Sequence, residues 1–309
     1  MKQENIYIIH HTDNDGFASA AVIAYVYPDS NINYFGYSYR ESKPFQAFVD
    51  EALEYADVIY VVDVSIGDFE SHPYVQKLSK SSKIIWIDHH LTSINSEERH
   101  EYLKEIPGIR RTDRSGAWLC WEWISSLISD PMPEVVKLVD DHDRFIHAME
   151  DSLAFSNGTY MRCSPANPNW QMWRDLLHND EKLLEEILHD GRVICKYNEM
   201  QYERARMNAG ICILEDRRRD EVKKYLGVAI NYISNSLVFG EQLKNGSRVF
   251  GLVYYYNYMS KKWLYSIYSA DPNFDCSKIA EHFGGGGHKG AAGFDSDELL
   301  IKDGVLVIE

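Results

Sequence analysis

Apolar positions in the first 150 residues recur in two alternating patterns. Short runs that are apolar on both faces predict central strands of a parallel sheet, and apolar residues spaced three or four apart predict helices. The predicted strands are residues 6–10, 32–35, 58–62 and 83–87, and the predicted helices are residues 16–27, 44–55, 115–128 and 133–145. Such alternation predicts an α/β fold with helices on both sides of a parallel sheet.

The rest of the chain has a different pattern. Residues 181–219 are charged, with apolar positions three or four apart, which is typical of a connecting helix. From about residue 226, strand-like runs at residues 228–233, 249–256 and 264–268 precede a helical run at residues 275–283. These runs predict a second, smaller α/β domain. We therefore expect a domain over residues 1–180, a helical linker over 181–222 and a second domain over 223–309.

Composition narrows the functional classes. The chain has 309 residues, 45% of them apolar, which suits two globular domains. Its net charge of −15 argues against a general clamp for long nucleic acid, because such binding depends on cations that contact phosphates. A polyanionic substrate would therefore be small, or held at a local metal site.

The location of the protein is predicted from its cysteines and its apolar runs. Five scattered cysteines without a CxxC pair are typical of reduced thiols in the cytosol. No signal peptide is recognisable, and no apolar run reaches the ~18 residues of a membrane span. We expect a cytoplasmic protein without a membrane partner, and a homodimer stays open.

Metal-type ligands follow three of the predicted strands. The first strand leads into His11-Thr12-Asp13-Asn14-Asp15-Gly16, the third into Asp63, and the fourth into Asp88-His89-His90. Ligands of an open parallel sheet bind outside the carboxyl ends of its strands, so these groups should converge. Carboxylates and imidazoles without cysteine favour manganese or magnesium over zinc.

Each group has a structural alternative. Asp13 and Asp15 could merely cap the following helix, and Asp63 alone could be a turn residue. A fourth group, Asp140-Asp141-His142-Asp143, lies at the predicted end of a helix. Acids there oppose the helix dipole, so either a cation or solvent must stabilise them.

Together these motifs resemble the DHH phosphoesterase family, and among its members the oligoribonuclease or nanoRNase-like enzymes. Gly284-Gly285-Gly286-Gly287-His288-Lys289-Gly290-Ala291-Ala292-Gly293 is similar to the glycine-rich motif of the DHH-associated C-terminal domain. The resemblance spans nearly the whole chain in the family's order. It implies two metal ions, usually Mn²⁺ with Mg²⁺ or Co²⁺ as substitutes, and a nucleotide bound across a cleft between the domains.

The resemblance also implies a ligand set. One ion would be held by His11, Asp13 and Asp63, and the other by Asp15, Asp63, His89 and Asp141, with Asp63 as the bridge. Asp143 is the alternative to Asp141. Asp88 would orient His89, and His90 would lie near the scissile phosphate.

The glycine motif predicts a phosphate site. Backbone N–H groups of Gly285, Gly286 and Gly287 could approach a phosphate, and His288 and Lys289 would add donors. The alternative is that the glycine motif is only a flexible connector.

A residue shortly before this motif differs from the family. Many family members have an arginine there, whereas this chain has Tyr268, which leaves the preferred substrate size open.

The predicted activity is metal-dependent hydrolysis of short oligonucleotides or of linear or cyclic dinucleotides. A nucleoside 3′,5′-bisphosphate phosphatase is the nearest alternative, whereas pyrophosphatases of this kind have a different C-terminal domain. A non-catalytic nucleic-acid-binding relative is the rival from another class. It is disfavoured because every expected ligand is present.

Overall fold

The structure of the protein is a computed structural model that describes residues 3–39, 42–66, 73–218, 221–233, 235–287 and 289–308. The chain divides into two compact units, Met1–Cys195 and Lys196–Glu309. The boundary falls inside a long helix, so the helix contributes residues to both units. None of the described helices combines the length and the hydropathy that a membrane span requires.

The first unit contains a four-stranded parallel sheet in the order β2-β1-β3-β4. Its strands are β1 (Asn5–His11), β2 (Asn31–Tyr37), β3 (Val58–Val62) and β4 (Ile84–Ile87). Its helices are α1 (Asn14–Tyr25), α2 (Lys43–Tyr55), α3 (Pro73–Ser79), α4 (Leu91–Arg99), α5 (Gly116–Ile124), α6 (Glu134–Asp143), α7 (Ser152–Arg162), α8 (Trp170–Leu177) and the first part of α9 (Glu181–Arg206), with a 3₁₀ turn at Glu101–Glu105.

Strand β1 shows why helices cover both faces of this sheet. Ile6 and Ile8 point into a core formed with α1 and α5 to α8, whereas Tyr7 and Ile9 point into a second core with α2 and α3. Side chains alternate along a strand, so a strand that is apolar at every position must be covered on both faces. The predicted α/β architecture is confirmed.

The second unit is built on a seven-stranded mixed sheet in the order β11-β5-β6-β7-β8-β10-β9. Its strands are β5 (Gly210–Asp216), β6 (Lys223–Asn231), β7 (Phe250–Asn257), β8 (Lys262–Tyr268), β9 (Gly286–Gly287), β10 (Ala291–Ser296) and β11 (Val305–Ile308). Helices α10 (Glu241–Lys244) and α11 (Cys276–His282) and a 3₁₀ turn at Ser236–Phe239 complete it.

The predicted connector differs from the observed structure in its second half. The helix ends at Arg206, and a strand follows where the sequence pattern had predicted continued helix. In this strand Cys212 and Leu214 are buried while Ile211 is exposed, an alternation that suits one covered face of a sheet. The second sheet therefore begins before the expected start of the second domain.

Candidate metal centre

The carboxyl ends of β1, β3 and β4 and the end of α6 bring seven titratable side chains to one edge of the first sheet. They are His11, Asp13, Asp15, Asp63, His89, His90 and Asp143, and we call them the carboxylate–imidazole cluster. His11 ends β1, Asp63 follows β3, and His89 and His90 follow β4. Parallel strands ending at the same edge explain why residues so distant in sequence meet.

One part of the cluster joins β1 to β3. His11 Nδ1 lies 2.7 Å from Asp13 Oδ2 and 3.8 Å from Asp63 Oδ2. The other oxygen of Asp13 accepts a 2.9 Å hydrogen bond from the Gly16 backbone N–H and caps α1. Asp13 therefore acts as a helix cap and also faces the cluster.

The other part of the cluster is centred on His89. Its Nε2 atom lies 3.2 Å from Asp63 Oδ1, 3.5 Å from Asp143 Oδ2 and 3.7 Å from Asp15 Oδ2. Nitrogen and oxygen atoms at these distances could converge on a single cation. Asp15, His89 and Asp143 thus form a second candidate group beside that of His11, Asp13 and Asp63.

Asp63 lies between the two groups. Its Oδ2 atom faces His11 and its Oδ1 atom faces His89. The backbone of Asp63 has a φ of +54°, a left-handed conformation that is uncommon for a residue with a side chain. Residues in such conformations are often found at functional sites.

The residues of the cluster fit divalent cations. Among the described residues, both oxygens of Asp63 and Oδ2 of Asp143 are buried without a hydrogen-bond partner. Burial, together with the charge of nearby Asp15, raises the pKa of Asp63 and of Asp143 well above the usual range. Buried acids without donors normally need a cation, and oxygen and imidazole ligands suit Mn²⁺ or Mg²⁺.

Asp141 does not lie in the cluster, although it was the expected ligand. Its Oδ1 accepts a 2.9 Å hydrogen bond from the Ala148 N–H, and its Oδ2 a 3.1 Å bond from the Met149 N–H. Burial opposes ionisation, but the hydrogen bonds from Ser152, Met149 and Ala148 lower the pKa of Asp141 overall. The structure thus places the alternative, Asp143, where Asp141 was expected.

Asp88 contacts a different ring from the one predicted. Its Oδ1 atom lies 2.8 Å from His90 Nδ1 and accepts a 2.8 Å hydrogen bond from the His89 backbone N–H, while its Oδ2 accepts from Ser93. Asp88 therefore orients the ring of His90, and only the backbone of His89. Burial lowers the pKa of His90, but the hydrogen bond to Asp88 raises it overall.

Helix α5 contributes a feature that sequence reasoning missed. The Gly116 and Ala117 N–H groups donate to Asp15 at 2.6 and 2.9 Å, and the Ser115 N–H donates to Asp140 at 2.7 Å. The first N–H groups of any helix lack partners within it, so a predicted helix start at residue 115 was the available signal. These bonds fix Asp15 independently of any ion.

The glycine motif forms part of the second sheet. The Gly284 and Gly285 N–H groups donate to Glu281 and Ala280 at the end of α11, so they are not available to a phosphate. Gly286 and Gly287 pair with β10.

A side chain would fit at some of these glycines and not at others. A Cβ at Gly285 would lie 2.1 Å from the Gly293 carbonyl oxygen, and Gly287 has a φ of +143°, so both positions need glycine. At Gly286 a Cβ would meet no atom within 4 Å, so this position does not need glycine for space.

The remaining predicted residues of this region are Tyr268, His288 and Lys289. Tyr268 is half-buried in β8, with its ring 6.3 Å from that of Phe239, and burial raises its pKa. Lys289 is exposed, and its carbonyl accepts from the Cys276 N–H. His288 lies outside the described residues.

Comparison with known proteins identifies the first unit. The family model described as DHH family, N-terminal domain, matches residues 5–139. Residues 5–139 are a DHH-family domain. This DHH domain contains every member of the cluster except Asp143, which follows it by four residues. An uncharacterized protein, R106, of Acanthamoeba polyphaga mimivirus is 25% identical over 313 residues, covering 94% of this chain and 67% of that protein.

Solved structures share the two-domain fold of this chain. RecJ from Thermus thermophilus, in complex with Mn²⁺, matches with a TM-score of 0.55 and 14% identity, over 99% of this chain and 54% of RecJ. PggH from Vibrio cholerae, described as a pGpG-specific phosphodiesterase, matches with a TM-score of 0.51 and 11% identity, over 95% and 93%. An exopolyphosphatase-related protein from Bacteroides fragilis matches with a TM-score of 0.51 and 15% identity, over 96% and 88%.

Proposed function

We propose that the protein is a metal-dependent phosphodiesterase that hydrolyses short oligonucleotides or linear or cyclic dinucleotides. The observation that carries this proposal is the position of Asp63. Its two buried oxygens face two separate ligand groups, and neither has a hydrogen-bond partner among the described residues. A carboxylate placed in this way suits a bridge between two ions.

The cluster assigns a role to each side chain. His11 and Asp13 would hold one ion and Asp15, His89 and Asp143 the other, with Asp63 shared between them. When bound, two divalent ions such as Mn²⁺ polarise a phosphate, lower the pKa of a coordinated water and stabilise the leaving oxygen. The protein's part is to fix these ligands at one sheet edge, so that water and phosphate meet in a single orientation.

His90 is the proposed contact to the scissile phosphate. Its Nδ1 atom is engaged by Asp88 at 2.8 Å, so Nε2 is the ring atom that remains for the substrate. Held in this orientation, the ring would contact a phosphate oxygen on which negative charge develops. Asp88 would act through His90, as a residue that positions it.

A short substrate is supported by charge. The net charge of −15 gives no broad attraction for a long polyanion, so the ions would supply most of the attraction for phosphate. The fold is shared with a protein described as a pGpG-specific phosphodiesterase, whose named substrate is a dinucleotide. Within the second unit, exposed Lys289 of the glycine motif is the proposed phosphate contact.

A substrate panel with Mn²⁺ tests this function. It should contain RNA and DNA of two to ten nucleotides, cyclic dinucleotides and nucleoside 3′,5′-bisphosphates. We expect hydrolysis of the short oligonucleotides or dinucleotides, loss of activity in EDTA, and recovery when Mn²⁺ is restored. Full activity after dialysis against EDTA would exclude a metal-dependent mechanism.

The variant Asp63→Asn tests the bridging role of Asp63. Asparagine tolerates the left-handed backbone of this position, so the fold should survive while the bridge between the ions is lost. We expect kcat to fall at least hundredfold, whereas Asp29→Asn, in an exposed turn, should leave it unchanged. A variant of Asp63 that keeps more than about a tenth of the wild-type kcat, a cost of only ~1.4 kcal/mol, contradicts the bridging role.

A further inference from the structure

A cavity of about 280 Å³ opens directly beside the carboxylate–imidazole cluster. It is formed by residues of α1, α6 and α7 and by Phe145. Asp13, Asp15 and Asp143 belong both to the cluster and to the wall of this cavity. A group bonded to a phosphate at the cluster would therefore extend into it.

Much of the lining of the cavity is apolar and aromatic. Val139 and Phe155 are buried residues of this lining, whereas Phe145 and Tyr160 line it with 54% and 66% of their residue surface exposed. Large exposed rings that converge on a cavity are typical of a binding site. Flat aromatic faces suit another flat ring, which can stack on them.

The lining of the cavity favours an uncharged group over a further phosphate. Of the described residues, none that lines it is a lysine or an arginine. Its three aspartates belong to the cluster, where the proposed ions would neutralise them. Beyond the cluster the lining offers a phosphate no cation, whereas an uncharged ring system needs none.

Two polar side chains add the potential for hydrogen bonds. Nδ1 of His142 is buried and has no hydrogen-bond partner among the described residues, although His142 lines the cavity. Asn14 is held in place because its amide donates to both the carbonyl and the hydroxyl of Ser156, at 3.0 Å each. A few fixed polar groups on an apolar wall can orient a planar ligand.

We propose that this cavity binds one nucleobase of the nucleotide whose phosphate lies at the cluster. This inference rests on the proposed function and deepens it, because it makes the enzyme selective for nucleotides over polyphosphates. Pockets for drug-sized ligands usually measure ~300–1,000 Å³, and this cavity of about 280 Å³ lies just below that range, so it suits one ring system rather than a whole dinucleotide. The base would stack on Phe145 and Tyr160, with His142 at its polar edge.

Equilibrium binding of two probes tests the proposal. AMP and ribose 5-phosphate carry the same phosphate and sugar, and only AMP has a base. In Mn²⁺, AMP should bind the wild-type protein about tenfold more tightly than ribose 5-phosphate, which corresponds to ~1.4 kcal/mol. Tyr160→Ala and Phe145→Ala should bring this ratio close to one while the affinity for ribose 5-phosphate stays the same.

Met161→Ala is the matched control. Met161 follows Tyr160 on the same helix, is equally exposed and does not line the cavity, so the ratio should stay at the wild-type value. A wild-type ratio near one, or a ratio that neither aromatic variant changes, overturns the proposal. Faster hydrolysis of tripolyphosphate than of dinucleotides also overturns it. If AMP is preferred but no dinucleotide is hydrolysed, the proposed function fails and the base site stands.

Discussion

Asp141 and Asp143 offer a sharp test, since they lie two residues apart and the structure gives them different roles. Replacing Asp141 by asparagine leaves one carbonyl oxygen where two carboxylate oxygens accepted from Ala148 and Met149. At least one charge-assisted hydrogen bond is lost, at a cost of ~1.5–3 kcal/mol. For a unit of this size, 1 kcal/mol shifts Tm by ~2–4 °C, so Asp141→Asn should melt about 3 to 12 °C lower.

Asp143→Asn should show the opposite behaviour. Oδ2 of Asp143 has no hydrogen-bond partner among the described residues, and a neutral amide relieves repulsion from Asp15. The metal-free variant should therefore melt at or above the wild-type Tm. Mn²⁺ at a hundredfold excess over its Kd should stabilise the wild-type protein by ~2.7 kcal/mol, and the variant should lose most of this stabilisation. The kcat of the variant should fall at least hundredfold.

Thermal melts with and without Mn²⁺, combined with kcat on a dinucleotide, measure both effects. The Asp141 variant should keep its Mn²⁺-dependent shift in Tm and most of its activity. If instead Asp141→Asn abolished that shift and Asp143→Asn retained it, Asp141 would be the ligand and our assignment would be wrong.

Two glycines allow further predictions. Gly116→Ala places a Cβ 2.8 Å from Asp63 Cβ and 2.9 Å from Ser19 Oγ, so we expect kcat to drop at least tenfold and stability to fall by ~1–3 kcal/mol. Gly210→Ala, where the space is open, is the control, and unchanged kcat in the Gly116 variant would refute the close packing against Asp63. Gly286→Ala also meets open space, so Tm should not change, but KM for a dinucleotide should rise if the backbone there contacts a phosphate. An unchanged KM would show that the backbone at Gly286 does not contact the substrate.

The convergence of the candidate ligands was largely predictable, because strand ends in a parallel sheet determine where side chains meet. Runs such as Val58–Val62 are apolar at every position, which predicts a covered central strand, and the polar residue that follows must then lie at the sheet edge. Pairing of β1 with both β2 and β3 brings His11 and Asp63 together as expected.

The choice between Asp141 and Asp143 could not be made from sequence. Successive residues of a helix are about 100° apart, so Asp140 and Asp143 share one side of α6 while Asp141 points away. Which side faces the sheet edge depends on how α6 packs against its neighbours α5 and α7 and against α1, which is more than 100 residues away in sequence. The strand Gly210–Asp216 was missed for a related reason, since its alternation is short and directly follows a long helical pattern.

The hydrogen bonds from the start of α5 to Asp15 have a consequence for how this domain would lose its activity over evolutionary time. Asp15 caps α5, so a descendant that no longer needed catalysis would still be under selection to keep it. Asp143, whose Oδ2 has no other described partner, would be free to drift. In homologues of this chain, loss of the aspartate that corresponds to Asp143 should therefore mark inactive forms. Retention of the aspartate that corresponds to Asp15 should not be taken as a sign of an enzyme.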